Sequence, residues 1–341
     1  MEVVIVLPLL IQKSWVVFVY AITISIEAIV IEYLTTHSSI QISSVLLSAT
    51  SITLGGVMLL LVTIIVLKKW NGITIIFMKS WKNLLLASLF LSIGVFAWYD
   101  STNRIGASKE FLIAGPLEIV IIVFLARAFL GEKLKRIHII GIVLALLGFI
   151  LAIMSGSGGG LSNVSKFPDG FSFRSGDLEA IISSFGFALG VLFLTKLVSR
   201  HSPIEVAASS MLTSGLLLIG FMFVEIMLDE AQHGITDETA MLTYNINNNQ
   251  HVMYTIVILI LFSMLPFIGS LSYSTGLSKI GASLTATIGS SSIIITLVVQ
   301  LVLVEIGLPS NLPNNIYLSV LGGIIGFFGI YIIHMHDFTF S

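Results

Sequence analysis

Long apolar windows dominate the chain, and short polar or charged stretches separate them. A helix that crosses a bilayer needs about 20 apolar residues, and ten windows approach or exceed that length. These windows are 15–34, 44–67, 84–100, 105–130, 137–154, 177–198, 204–228, 253–277, 280–304 and 316–333. The pattern therefore predicts ten transmembrane helices.

Composition supports this prediction and excludes several classes of protein. Hydrophobic residues make up 56% of the chain and charged residues 10%, whereas soluble domains carry about 25% charged residues. A net charge of −2 gives no basic surface for nucleic acid. Cysteine is absent, so disulfides and thiolate metal sites are excluded. We predict an all-α polytopic membrane protein with no nucleic-acid partner.

Basic residues predict the orientation in the membrane, because cytoplasmic loops are rich in Lys and Arg. With a cytoplasmic N-terminus, the inner loops hold Lys13, Lys68, Lys69, Lys79, Lys82, Lys133, Lys135, Arg136, Lys196, Arg200 and Lys279. The outer loops hold only Arg104, Lys166 and Arg174. We therefore predict that both termini are cytoplasmic, and we expect a cell membrane as the location.

Two similar pentapeptides indicate an internal repeat. Arg104-Ile105-Gly106-Ala107-Ser108 opens the fourth window, and Lys279-Ile280-Gly281-Ala282-Ser283 opens the ninth. Five windows precede a Gly/Ser-rich stretch at 155–160 and five follow it, so the two halves must cross the membrane in opposite senses. Such inverted repeats are common in secondary transporters. A chance match in low-diversity apolar sequence is the alternative.

The repeat defines five predicted segments. A cytoplasmic lead-in covers residues 1–13, and the first five-helix repeat covers 14–154. An external linker follows at 155–175, then the second repeat at 176–335 and a cytoplasmic tail at 336–341.

Several motifs resemble the EamA-like transporter family of the drug/metabolite transporter superfamily. In the second half these are the Gly-Asp-Leu opening at 176–178 and the Ser-Arg…Ser-Pro exit at 199–203. In the first half they are Ala114-Gly115-Pro116, the Gly-Glu corner at 131–132, and the glycine-spaced helix around Gly141 and Gly148. The chain departs from the family where Gly289 to Ser291 stand in place of a frequent proline. The resemblance implies two five-helix halves around a central cavity for small organic solutes.

Two glutamates fall near the middle of predicted spans, where an ionisable side chain costs several kcal/mol and is a candidate for function. Glu118 lies two residues after Pro116, which removes a backbone hydrogen-bond donor from its helix. Glu27 lies in the first span, and resembles a first-helix glutamate of the small multidrug-resistance branch of the superfamily. We predict that Glu118 and Glu27 bind substrate or couple transport to protons. Neutral, hydrogen-bonded packing is the alternative for both.

Further polar and aromatic residues are candidates for the cavity wall. We predict that seven residues line it: Trp98, Tyr99, Ser108, Lys109, Pro116, Tyr273 and Ser283. Aromatic residues at span ends also occur as interfacial belts. Lys109 either binds an anionic group of the substrate or extends to the outer interface.

The absence of catalytic and nucleotide-binding motifs limits the function. No Gly-Lys-Ser/Thr phosphate loop, His-Glu-x-x-His or Gly-x-Ser-x-Gly motif is present, and the histidines show no metal-ligand spacing. We expect no cofactor, no metal site and no enzymatic activity. The sequence predicts a secondary active transporter of a small organic metabolite or drug, with protons and a second copy of the chain as candidate partners. An organic-anion exchanger, a membrane scaffold and an intramembrane enzyme are the alternatives.

Overall fold

Helices make up the regular structure in the computed structural model of the protein, which describes residues 3–38, 42–130, 136–156, 174–233 and 249–335. In chain order they are α1 (Val3–Glu32), α2 (Ser44–Leu61), α3 (Trp70–Lys79), α4 (Trp81–Ile105), α5 (Ala107–Leu130), α6 (Arg136–Met154), α7 (Ser175–Val198), α8 (Pro203–His233), α9 (Asn249–Gly289), α10 (Ser291–Glu305) and α11 (Ile316–Met335). Single π-helical turns, Tyr33–His37 and Val62–Val66, follow α1 and α2.

The prediction of an all-helical multi-pass membrane protein is confirmed. Nine helical stretches within the described ranges are long and apolar enough to cross a bilayer. The helix α5, which has 24 residues, corresponds to the predicted window 105–130. The predicted count of ten is therefore approximate. Most of the predicted linker 155–175 and the whole tail 336–341 lie outside the described residues.

The helix α1 begins at Val3, twelve residues before the first window. Two further differences from the predicted windows share one cause. The apolar windows miss α3, a ten-residue helix that buries Ile73 and Ile76 and exposes Phe77 and Met78. The eighth window and the start of the ninth run together in α9 across a kink at Gly281, and the rest of the ninth window forms α10. Both differences arise because a hydropathy window measures apolar content and detects neither a short amphipathic helix nor a change of helix axis.

The two pentapeptides adopt the same backbone conformation. Gly106 has φ 84° and ψ 155°, and Gly281 has φ 82° and ψ 171°. Only glycine adopts these angles without strain, so each glycine ends one helix and redirects the chain into the next. The repeated sequence therefore encodes a repeated turn.

Helices of the two halves pack crosswise. When the short helix α3 is left out of the count, the first helix of each half packs on the third helix of the other half, in the pairs α1–α9 and α7–α4. The second helices pair as α2–α8, and the fifth helices pair as α6–α11. This reciprocal pairing is expected when a pseudo-two-fold axis relates two inverted repeats.

Small residues bring the paired helices into close contact. A Cβ atom placed on Gly186 of α7 would lie 2.6 Å from the Cα atom of Gly94 of α4. A Cβ atom on Gly148 of α6 would lie equally close to the Cα atom of Gly326 of α11. Without a hydrophobic effect in lipid, such close backbone contact is a main source of helix association.

Candidate functional site

A cavity of about 180 Å³ lies at the interface of the two halves. Its wall contains residues from eight helices, namely α1, α2, α4, α5, α7, α8, α9 and α10. The lining residues include none from α6 or α11, which pair with each other beside the cavity. Because both halves contribute to the wall, any movement of one half against the other changes the shape of this cavity.

The wall follows the internal repeat closely. Gly106 and Gly281 are 175 positions apart, and lining residues of α4 and α5 match lining residues of the second half at the same offset. The matched pairs are Leu91/Pro266, Val95/Ser270, Trp98/Tyr273, Phe111/Ala286, Ala114/Gly289 and Gly115/Ser290. The shape of the cavity is therefore built from two equivalent surfaces.

Three carboxyl groups break this symmetry. Glu27, Glu110 and Glu118 line the cavity, and all three belong to the first half. At the offset of 175, the positions equivalent to Glu110 and Glu118 are Thr285 and Ile293. The first half therefore supplies the acidic groups of the wall, and the second half has a hydroxyl and an apolar side chain at the two equivalent positions.

The carboxyl groups differ in their hydrogen bonds. The Tyr99 hydroxyl donates to Glu27 Oε1 at 2.7 Å, and the Ser183 hydroxyl donates to Glu110 Oε1 at 3.2 Å. Glu118 has no hydrogen-bond partner among the described residues. Its carboxyl group is therefore the one most available to a ligand.

Aromatic rings surround the acidic groups. The rings of Tyr20 and Tyr273, which both line the cavity, have centroids 4.7 Å apart at an angle of 51°. Three further aromatic residues of the wall pack together: the Trp98 ring centroid lies 6.2 Å from that of Phe111 and 6.1 Å from that of Phe187. The negative faces of such rings attract cations.

Four of the nine predicted site residues lie in the cavity wall. Glu118, Glu27, Trp98 and Tyr273 line the cavity. Tyr99 lies behind the wall, where it is fully buried and bonded to Glu27 and to Ser51. The structure describes the backbone of Ser283 and not its side chain, so the predicted place of this residue in the wall stays a prediction.

Three other predictions for the cavity wall differ from the structure. Ser108 is buried against Gln300, to which both its backbone N–H and its hydroxyl donate hydrogen bonds. Pro116 packs against Gly326 of α11. Lys109 neither lines the cavity nor extends to the interface, because its ammonium group is fully buried and lies 2.6 Å from Asp177 Oδ1.

Glu110 is the acidic residue of the cavity wall that was not among the residues predicted from the sequence. Its signal is the spacing Glu110, Ala114 and Glu118, at i, i+4 and i+8, which places the three residues along one side of α5. The separation along the helix axis from Glu110 to Glu118 is about 12 Å.

A second polar cluster, centred on Glu32, lies at the end of the bundle where α1 ends and α5 begins. The carboxylate of Glu32 accepts hydrogen bonds from the backbone N–H of Ala107 at 2.7 Å and from Gln300 Nε2 at 2.6 Å. The hydroxyl of Ser310 and the backbone N–H of Asn311 also donate to it. The cluster joins the first half to the second and caps the N-terminus of α5.

Basic side chains stand apart from the cavity. The described lining residues include no Lys, Arg or His. Lys109 pairs with Asp177, and Arg104 Nε lies 2.8 Å from Asp100 and 3.2 Å from Glu179. The cavity therefore presents acidic groups without a basic group in the described wall.

Comparison with known proteins agrees with this architecture. A solved structure described as "Crystal structure of protein" matches with a TM-score of 0.58 and 14% sequence identity, over 96% of this chain and 98% of that one. This likeness supports the fold alone. No curated protein matches the chain. The EamA-like transporter family matches residues 13–154 and 174–335, which are the two halves seen in the fold. The chain is therefore a multi-pass membrane protein of the EamA-like transporter family, within the drug/metabolite transporter superfamily.

Proposed function

We propose that the protein is a secondary active transporter that carries a small organic solute through the central cavity, coupled to protons. The observation that carries this proposal is the cavity itself, which lies between two inverted halves and contains the carboxyl groups of Glu118 and Glu27. Secondary transporters place their binding sites at such an interface. Glu118 and Glu27 bind cargo or proton in this proposal.

Transport requires the cavity to open alternately to each side, by movement of repeat 14–154 against repeat 176–335. At one end of the bundle the halves are joined by buried polar contacts, namely Lys109–Asp177, Glu32–Gln300 and the Ser101 hydroxyl to the Gly176 carbonyl at 2.8 Å. At the other end the contacts include the exposed Lys69–Ser202 bond at 3.2 Å. We infer that opening of the first end must break the buried contacts.

An organic-anion exchanger is the second candidate within the superfamily, but the positions of the basic residues weigh against it. An anionic cargo needs a cationic group in the cavity, and the two candidates, Lys109 and Arg104, are engaged in ion pairs elsewhere. A scaffold would need no movement of the two halves at all, so movement is the property to test.

The orientation and location remain part of the proposal. We propose a cell membrane as the location, with both termini on the cytoplasmic side. On this orientation, the Lys109–Asp177 and Glu32 contacts lie at the external end and the Lys69–Ser202 contact at the cytoplasmic end.

Alternating access can be tested without knowing the cargo, because the natural chain has no cysteine. We would introduce a single cysteine at Ser270, which lines the cavity, and label it with a membrane-impermeant thiol reagent in proteoliposomes. An imposed pH gradient should shift the labelling of S270C from one side of the membrane toward the other. The Glu118→Gln substitution in the same background should abolish that shift.

Matched controls lie at the two ends of α7. Ser175 and Ser199 are both exposed, so S175C and S199C should each be labelled from one side only, and from opposite sides. The proposed orientation requires that S199C be reached from the cytoplasmic side. Labelling of S270C from a single side under all gradients would overturn the transporter proposal and favour a scaffold.

A further inference from the structure

The cargo itself can be inferred from the charge and shape of the cavity, given the transport function proposed above. We propose that the cavity binds an organic ammonium ion with a single aromatic or compact apolar body. The Glu118 carboxylate binds the ammonium group, and the tyrosine pair Tyr20–Tyr273 holds the body.

The charge of the cavity selects a cation. Three carboxyl groups line it, and the described wall contains no Lys, Arg or His to balance them. An unpaired carboxylate in a membrane interior is strongly unfavourable, so the cavity requires protons or a cationic ligand for neutrality. An organic anion would add to the imbalance, and a neutral solute would leave it unchanged.

The position of the acidic groups within the repeat also points to a ligand. The halves supply matched lining residues at the offset of 175, yet Glu110 and Glu118 have Thr285 and Ile293 as their equivalents. A purely architectural role would be served by similar residues in both halves. Because the acidic groups lie in one half only, they would orient a ligand that carries its charge at one end, with the charged end toward α5.

Glu118 is the least engaged of the three acids, although Glu110 Oε2 is also without a hydrogen-bond partner among the described residues. Glu27 and Glu110 each accept a hydrogen bond from a protein hydroxyl, whereas Glu118 has no hydrogen-bond partner among the residues described. An ammonium group is a donor with no acceptor capacity, so it complements the lone pairs of Glu118 directly. Tyr20 and Tyr273 line the same cavity as Glu118.

The remaining wall fits an apolar body of limited size. The Tyr20 and Tyr273 rings lie 4.7 Å apart and form a tilted aromatic surface. The negative face of an aromatic ring attracts a nearby ammonium group. A cavity of about 150 Å³ with apolar walls accommodates benzene, so 180 Å³ fits one ring and a short ammonium chain.

The test uses a series of three compounds that share one aromatic ring and differ in charge. These are 2-phenylethylammonium, 3-phenylpropionate and 2-phenylethanol, added to the detergent-purified full-length protein. Binding would be measured by isothermal titration calorimetry and by the melting temperature, which rises when a ligand binds only the folded state. We expect binding of the ammonium compound with at least tenfold higher affinity than that of either analogue.

Substitution of the glutamate locates the binding. Glu118→Gln should weaken binding of 2-phenylethylammonium at least tenfold, whereas Glu305→Gln, which removes an exposed carboxylate at the end of α10, should leave it unchanged. Equal binding of the anionic or neutral compound, or no binding of any of the three, would overturn the proposed cargo class. The comparison of the three compounds on the natural protein is decisive even where Glu118→Gln fails to fold.

These outcomes are separate from those of the thiol-labelling experiment. Alternating labelling of S270C together with a preference for 3-phenylpropionate would support the transporter proposal and overturn the proposal of an organic ammonium cargo. A protein that binds 2-phenylethylammonium with one-sided labelling has the binding site without the transport cycle.

Discussion

The buried ion pair between Lys109 and Asp177 gives a quantitative test of how the two halves are held together. Lys109 Nζ lies 2.6 Å from Asp177 Oδ1, and both side chains are 0% exposed. Removing one partner of a buried pair typically costs about 3–5 kcal/mol, because the other charge is left uncompensated. We therefore expect Lys109→Met to lower the free energy of unfolding by about 3–5 kcal/mol.

A second substitution distinguishes the charge effect from lost packing. Asp177 Oδ2 also accepts the backbone N–H of Arg174 at 2.9 Å, as part of the cap of α7. Asparagine keeps an acceptor for that bond while it removes the charge. The double variant Lys109→Met/Asp177→Asn should therefore regain most of the loss and lie within about 1–2 kcal/mol of the natural protein.

The assay is reversible unfolding in mixed detergent micelles, followed by circular dichroism, for the two single variants and the double variant. Lys279→Met, which removes an exposed ammonium group in α9, serves as the control and should cost less than about 0.5 kcal/mol. The reasoning is refuted if Lys109→Met costs less than about 1 kcal/mol, or if the two substitutions are simply additive.

Four further substitutions test the packing, a buried hydrogen bond and the repeat. Gly148→Ala should lower the free energy of unfolding by about 1–3 kcal/mol, because a Cβ atom there would lie 2.6 Å from the backbone of α11. Its control is Gly220→Ala, where a Cβ atom meets nothing within 4 Å. This control should be neutral or slightly stabilising in the same unfolding assay. Tyr99→Phe removes the 2.7 Å hydrogen bond to Glu27 and should lower the free energy of unfolding by about 1.5–3 kcal/mol when the carboxyl group is ionised. An unfolding midpoint that equals that of the natural protein at every pH would contradict this prediction. Gly281→Ala places a side chain on a residue with φ 82°, where a Cβ atom meets nothing within 4 Å but the backbone conformation is strained. It should lower the free energy of unfolding by about 1–3 kcal/mol. An unchanged melting temperature would argue against backbone strain at the kink.

The sequence by itself determined the class of fold, the repeat and two of the acidic groups. A long apolar window shows that a helix lies in the bilayer and not in water, so the windows identified the membrane spans without any knowledge of packing. The pentapeptides at 104–108 and 279–283 marked the repeat because both glycines serve the same turn, with φ 84° and 82°. Glu27 and Glu118 stood out because a carboxyl group within a long apolar window needs a protein or ligand environment.

Only the tertiary structure decided which polar side chains meet. Trp98 and Tyr99 are adjacent in sequence, yet Trp98 lines the cavity and Tyr99 lies behind it, since successive residues of a helix point about 100° apart. Lys109 and Glu110 separate in the same way, Lys109 toward Asp177 and Glu110 into the cavity. The direction that each side chain takes depends on the rotation and crossing of helices from distant parts of the chain. Hydropathy does not encode this geometry, and the close approach of paired helices fixes it.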